Sequence, residues 1–132
     1  MNWKLIFLLS LFGLAMAIGT VFVIPSHVEP LFWLLIFVVC AYLIAKNAGG
    51  KFFLHGLMTS LANCVWITAL HILFFSTYAA NHVREFEQMS KGPLANHPRL
   101  MMLIVGPIIG LVSGLVLGLF SLLAAKMVHR KK

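Results

Sequence analysis

Acidic residues are almost missing from this sequence: it has no aspartate, and its only carboxylate side chains are Glu29, Glu85 and Glu87. Charged residues make up 10% of the chain, whereas soluble domains contain roughly 25%. So few charges cannot cover the surface of a water-soluble domain. Hydrophobic residues make up 61%, which excludes a disordered chain because disorder requires a polar composition. Composition therefore predicts an integral membrane protein.

Motifs of the common enzyme classes are also absent. The sequence has no phosphate-binding glycine loop, no nucleophile elbow, no HExxH zinc motif and no pair of acids placed for hydrolysis. None of the glutamates lies within an apolar run, which argues against an exporter driven by a membrane carboxylate. Cys40 and Cys64 are single thiols without CxxC spacing. Isolated cysteines of this kind usually behave as small apolar residues. We therefore predict that the protein is not an enzyme and carries no cofactor.

Four long apolar runs are present instead. A helix needs ~20 residues to cross a hydrocarbon core ~30 Å thick. The runs predict spans at about residues 5–24, 30–46, 52–80 and 100–126, with an outer-side loop segment at about 81–99. No stretch remains for a soluble domain, so residues 1–132 are expected to form a single domain. The predicted fold is all-α, an antiparallel four-helix transmembrane bundle.

The first run has some features of a cleaved signal peptide. Lys4, the apolar stretch after it and the small residues Ala15 and Ala17 match the three parts of such a peptide. The apolar run nevertheless continues to Ile24, which gives it full spanning length. We expect a retained membrane span.

The third run is longer than a bilayer requires. As one helix, residues 52–80 would extend ~43 Å. We expect this helix to project beyond the membrane, through Phe86 or Met89, until Gly92 and Pro93 end it.

Basic residues are concentrated on one side of the predicted membrane. Seven of the ten lie at the N-terminus, in the second loop or at the C-terminus, and three lie on the other side. The seven are Lys4, Lys46, Lys51, Lys126, Arg130, Lys131 and Lys132, and the three are Arg84, Lys91 and Arg99. Because cytoplasmic loops are enriched in Lys and Arg, both termini are expected in the cytoplasm, with the protein in the cell (inner) membrane. The basic tail fits anionic lipid headgroups, so we do not expect nucleic-acid binding.

A glycine series in the fourth span predicts close helix packing. Gly106, Gly110, Gly114 and Gly118 recur every four residues and therefore share a helix face. A face without side chains lets another helix approach to backbone distance, as in a glycine zipper. The partner is either a helix of the same chain or a second protein, including another copy of this one.

The first span offers one such partner. Ser10, Gly13, Ala17 and Thr20 form a seam of small residues with the spacing of a heptad. We therefore expect the first and fourth spans to pair within the bundle.

The third span carries a polar stripe of His55, Thr59, Asn63 and His71. Polar side chains in a membrane usually face other helices or a water-filled cavity. The stripe is therefore either a substrate or proton path, or a set of hydrogen bonds between helices. His71 in particular needs a polar partner at its depth.

The histidines are the candidate ligands for haem or a metal ion. His55 and His71 are sixteen residues apart, or ~24 Å along one helix, so they cannot ligate the same iron. On the outer side, His82 and Glu85 would share a helix face, and His97 lies in the same loop segment. Imidazole and carboxylate suit zinc, so these three are candidate metal ligands, against the alternative of an ordinary solvated loop.

Three functional classes follow from these features. The first is a structural or accessory membrane protein that packs through its glycine series, either with itself or within a membrane complex. The second is a small channel or transporter that uses the polar stripe. The third is a metal- or haem-binding redox component. The expected partners are the lipid bilayer and either a second copy or another membrane protein.

Overall fold

The computed structural model describes residues 1–130 and is all-helical over that range, with six helices. The four long helices are α1 (Trp3–Phe22), α2 (Glu29–Asn47), α3 (Phe52–Leu73) and α6 (Pro98–Arg130), and the two short ones are α4 (Phe75–Asn81) and α5 (Val83–Ser90). Each long helix has the length and hydropathy needed to cross a membrane. The chain is a multi-pass membrane protein by these criteria, as its composition predicts.

Local chemistry explains where the first two helices begin and end. The Asn2 side chain accepts a hydrogen bond from Leu5 N–H and so caps α1. At the other end, the N–H groups of Val23 and Ile24 both donate to Gly19 O, and Pro25 follows. In α2, Glu29 lies in the first turn and a lysine in the last, which complements the helix dipole at both ends.

The third apolar run does not form one continuous helix, so the expectation of a projecting helix is wrong. α3 ends at Leu73, where Phe74 adopts non-helical dihedral angles (φ −105°, ψ 37°). A second break lies at His82 (φ −129°, ψ 58°), between α4 and α5. The carbonyl of Ile72, freed at the end of α3, accepts a hydrogen bond from Arg99 Nε at 3.3 Å.

The fourth span is longer than predicted at both ends. α6 has 33 residues, so it extends ~50 Å, more than the hydrocarbon core requires. Pro107 lies inside it and removes one backbone hydrogen bond.

α3 lies between two of the other long helices. It packs against α1 on one side and α6 on another, whereas α2 packs mainly on α6. The core cluster joins α2 to α1 and α6 through Cys40, Ala41, Ile44, Leu9 and Leu117. Because the small residues of α1 and the glycines of α6 both meet α3, the predicted pairing of the first and fourth spans is wrong.

Candidate functional site

The glycine series of α6 lies directly against α3. A methyl group added to Gly110 would lie 2.6 Å from Cβ of Cys64, and one added to Gly114 would lie 2.6 Å from Cδ1 of Leu57. In the same way, Gly106 meets Thr68 and Gly118 meets Phe53. From Gly106 to Gly118 along α6, the contacted residue of α3 moves back from Thr68 to Phe53. The series is thus used within the chain, along most of the length of α3.

Backbone atoms come into contact along this interface. A methyl group on Gly56 would lie 2.7 Å from Leu117 O, and one on Gly118 would lie 3.0 Å from Phe53 O. Since a hydrogen atom occupies that position in glycine, each Cα–H points towards a backbone carbonyl of the other helix. Side chains add conventional bonds, because Ser60 Oγ donates to Gly110 O at 3.2 Å and Cys64 Sγ donates to Gly106 O at 2.9 Å.

His55 fastens the start of α1 to the start of α3. Its Nε2 accepts a hydrogen bond from Asn2 N–H at 2.9 Å, and its Nδ1 lies 2.9 Å from Lys51 O. A carbonyl only accepts, so the proton is on Nδ1 and the ring is the neutral tautomer. The side chain is 1% exposed. Both ring nitrogens are occupied by backbone groups, which makes His55 a fixed link between helices.

Asn63 and Thr59 occupy the middle of the α1–α3 interface. Their side chains are buried, yet within residues 1–130 neither the Asn63 amide nor Thr59 Oγ1 has a conventional hydrogen-bond partner. Asn63 packs on Gly13, whose Cα–H points at Asn63 Oδ1. A buried polar group without a partner is destabilising, so these two side chains are the unexplained polar groups of the stripe.

A second polar cluster lies at the end of the bundle opposite the chain termini and is centred on Thr20. Thr20 Oγ1 lies 2.8 Å from His71 Nε2, which is the partner that His71 needs at its depth. The Thr20 carbonyl accepts from His82 Nε2 at 2.6 Å. His82 Nδ1 lies 2.6 Å from Ser26 Oγ. One residue of α1 thus binds both histidines.

Tyr78 lies between these histidines as the middle ring of a stack. Its ring centroid is 4.1 Å from that of His71 and 4.4 Å from that of His82. The break at Phe74 allows this, because residues 71 and 78 would lie ~10 Å apart along the axis of one continuous helix. Burial, with Glu29 and Glu85 as lesser causes, raises the pKa of the Tyr78 phenol to about 12. The phenol therefore keeps its proton at neutral pH.

The two polar clusters are separated by an apolar turn. Gly13 and Thr20 face α3, and Ala17 lies between them on the same face of α1. Ala17 is 0% exposed and the neighbouring Met16 is 4% exposed. The polar stripe is therefore interrupted between Asn63 and His71.

The metal-ligand candidates are only partly brought together. His82 Nδ1 lies 3.9 Å from Glu85 Oε2, but that nitrogen is already bound by Ser26. His97 lies on the exposed loop just before α6. Across residues 1–130 there is no group of three His, Cys, Asp or Glu side chains able to hold a metal ion.

Sequence reasoning missed three members of the cluster around Thr20. They are Ser26, Tyr78 and Asn81, whose side-chain amide donates to Val21 O at 2.7 Å. Ser26 follows the end of α1 at Pro25, and the other two follow the helix break at Phe74. A prediction that continues the helix through these positions gives the wrong direction for their side chains. Ser26 and Asn81 line a cavity of about 560 Å³, together with His27 and Arg84.

No known protein family, curated protein or solved structure matches the chain. The class of the protein therefore follows from its fold: it is an all-helical protein with four candidate membrane-spanning helices.

Proposed function

We propose that this chain is a non-enzymatic structural or accessory subunit of a membrane complex, in the inner membrane with both termini in the cytoplasm. Its spans then form an antiparallel bundle, with the seven basic residues of the terminal side facing the cytoplasm. A structural subunit needs helices that are held firmly together, and it does not need a transport path or a catalytic site.

The observation that carries this proposal is that α3 is fastened on two faces. On one face, the glycines of α6 touch its backbone, and Ser60 and Cys64 bond to α6 carbonyls. On the other, His55 and His71 bond to α1. Four polar residues of the third span are thus occupied as links between helices, which supports a scaffold.

The same contacts restrict how the protein meets a partner. The glycine face is covered by α3, so association must use other surfaces. The outer half of α2 and one side of α6 expose large apolar side chains: Leu35 is 62% exposed and Ile109 is 59% exposed. Either surface faces lipid or a partner helix.

Photo-crosslinking in intact membranes tests the proposal. A photoreactive residue at position 35 or 109 is expected to give a discrete protein adduct, with a reactive group at Val65, on the exposed side of α3, as the comparison. Lipid adducts alone at all three positions, together with a strict monomer after purification, would contradict an accessory role.

A small channel or transporter is the second candidate, and the unpaired groups of Asn63 and Thr59 favour it. Unpaired polar groups in a membrane protein are typical of a hydrated passage. The apolar turn at Met16 and Ala17 counts against a continuous path. Proteoliposomes decide between the candidates: proton or ion flux that is lost in Asn63→Leu and retained in His97→Gln would support transport.

A further inference from the structure

A groove lies between α2 and α6, near the C-terminal ends of both helices. Its volume is about 760 Å³, within the range of ~300–1,000 Å³ typical of ligand sites. Its floor is formed where two small residues, Ala41 and Ala124, lie on facing helices. Tyr42 and Phe120 contribute to its walls.

The groove is apolar along its length and basic at one end. Lys46, in the last turn of α2, and His129, in the last turn of α6, are its polar lining residues at the mouth. From Val38 to Lys46 the groove follows α2 for ~12 Å, which is close to the ~15 Å depth of one leaflet of a hydrocarbon core ~30 Å thick.

We propose that this groove binds one anionic phospholipid, with an acyl chain between Ala41 and Ala124 and the phosphate at Lys46 and His129. The charge at the mouth complements a phosphate, and basic pockets between membrane helices are known sites for anionic headgroups. A partner helix is a poorer fit, since the groove ends in a lysine that a helix would have to bury unpaired. The proposal holds for either orientation of the chain in the membrane.

Native mass spectrometry of the whole protein tests this. Phosphatidylglycerol is expected to remain bound at a one-to-one ratio under conditions that remove phosphatidylcholine. A lysine near a membrane surface contributes about 1 kcal/mol to binding an anionic lipid, so Lys46→Gln should weaken retention about fivefold. Lys126→Gln is the matched control, because Lys126 is exposed on α6 but does not line the groove.

A second variant tests the acyl-chain half of the groove. Ala124→Phe fills the floor and should lower retention of phosphatidylglycerol while leaving Lys46 in place. If this variant does not fold, a photoreactive acyl chain bound to the wild-type protein replaces it and should label α2 and α6 beside the groove. Equal retention of both lipids, an equal effect of Lys126→Gln, or label spread over all helices would overturn the proposal.

Discussion

Thr20 and His71 are joined by a 2.8 Å hydrogen bond between the hydroxyl of one long helix and the imidazole of another. The same threonine bonds to its own helix, with Oγ1 at 2.8 Å from Met16 O. The hydrogen bond within α1 therefore fixes the orientation of the Thr20 hydroxyl towards His71. This bond is the clearest single link between α1 and the far end of α3.

The strength of that link is measurable by a double-mutant cycle of Thr20→Val and His71→Phe. We expect a coupling energy of ~0.6 kcal/mol, the average for hydrogen bonds between membrane helices, and at most ~1.7 kcal/mol. The measurement is reversible unfolding in detergent. Additive effects of the two substitutions would mean that the bond contributes nothing to stability.

Replacing Gly114 with leucine should disrupt the bundle. The added side chain would overlap Leu57, whose backbone carbonyl lies only 3.1 Å from the first added carbon. Overpacking typically costs ~1–3 kcal/mol, and here a backbone must also move. Thermal stability in detergent checks this, with Leu115→Ile on the exposed side of the same helix as the control. A Gly114→Leu protein as stable as wild type would contradict the interface.

His55→Ala should destabilise the start of the bundle, because it leaves Asn2 N–H without its acceptor and opens a cavity. An unpaired buried polar group costs ~1–3 kcal/mol, and the lost packing adds to it. Amide hydrogen exchange should increase in the first turns of α1 and α3 before it increases elsewhere. The exposed His97→Ala is the matched comparison and should leave exchange unchanged.

Asn63→Leu should leave stability unchanged or raise it. The substitution removes an amide that has no conventional hydrogen-bond partner within residues 1–130, and removing such a group recovers its desolvation cost. Unfolding in detergent tests this directly. A loss of more than ~1 kcal/mol would show that the amide has a bound partner in the membrane, such as a water molecule.

Topology is checked by cysteine labelling with a membrane-impermeant maleimide. A cysteine at Lys51 should be protected in intact cells, and one at His97 should react, because we place the basic side in the cytoplasm. Native Cys40 is buried and Cys64 is partly buried, so background labelling should be low. Reaction at Lys51 and protection at His97 would reverse the orientation.

The sequence predicted the spans well where apolar length alone decides them. It failed at Phe74, because the carbonyl freed there is bonded by Arg99, a residue distant in the sequence, and the break lets Tyr78 stack on His71. The glycine spacing predicted a close-packed face but not its partner, since small residues on α1 and α3 are equally compatible with it. The sequence spacing located the residues of the polar stripe. Only the fold shows that His55 is hydrogen-bonded, whereas the Asn63 amide has no conventional partner within residues 1–130.

The position of α3 between two of the other long helices also constrains how the protein is made. α3 has the lowest hydropathy of the four spans, 1.5 against 2.5 for α6, and its main packing partner, α6, is synthesised after it. At ~5–20 residues per second, roughly 3–11 s separate the synthesis of Leu73 from that of Arg130. During that interval Ser60 and Cys64 do not yet have the α6 carbonyls to which they bond in the folded protein. We therefore expect the third span to be the step of membrane insertion that depends most on an insertase, which would retain it until the fourth span arrives.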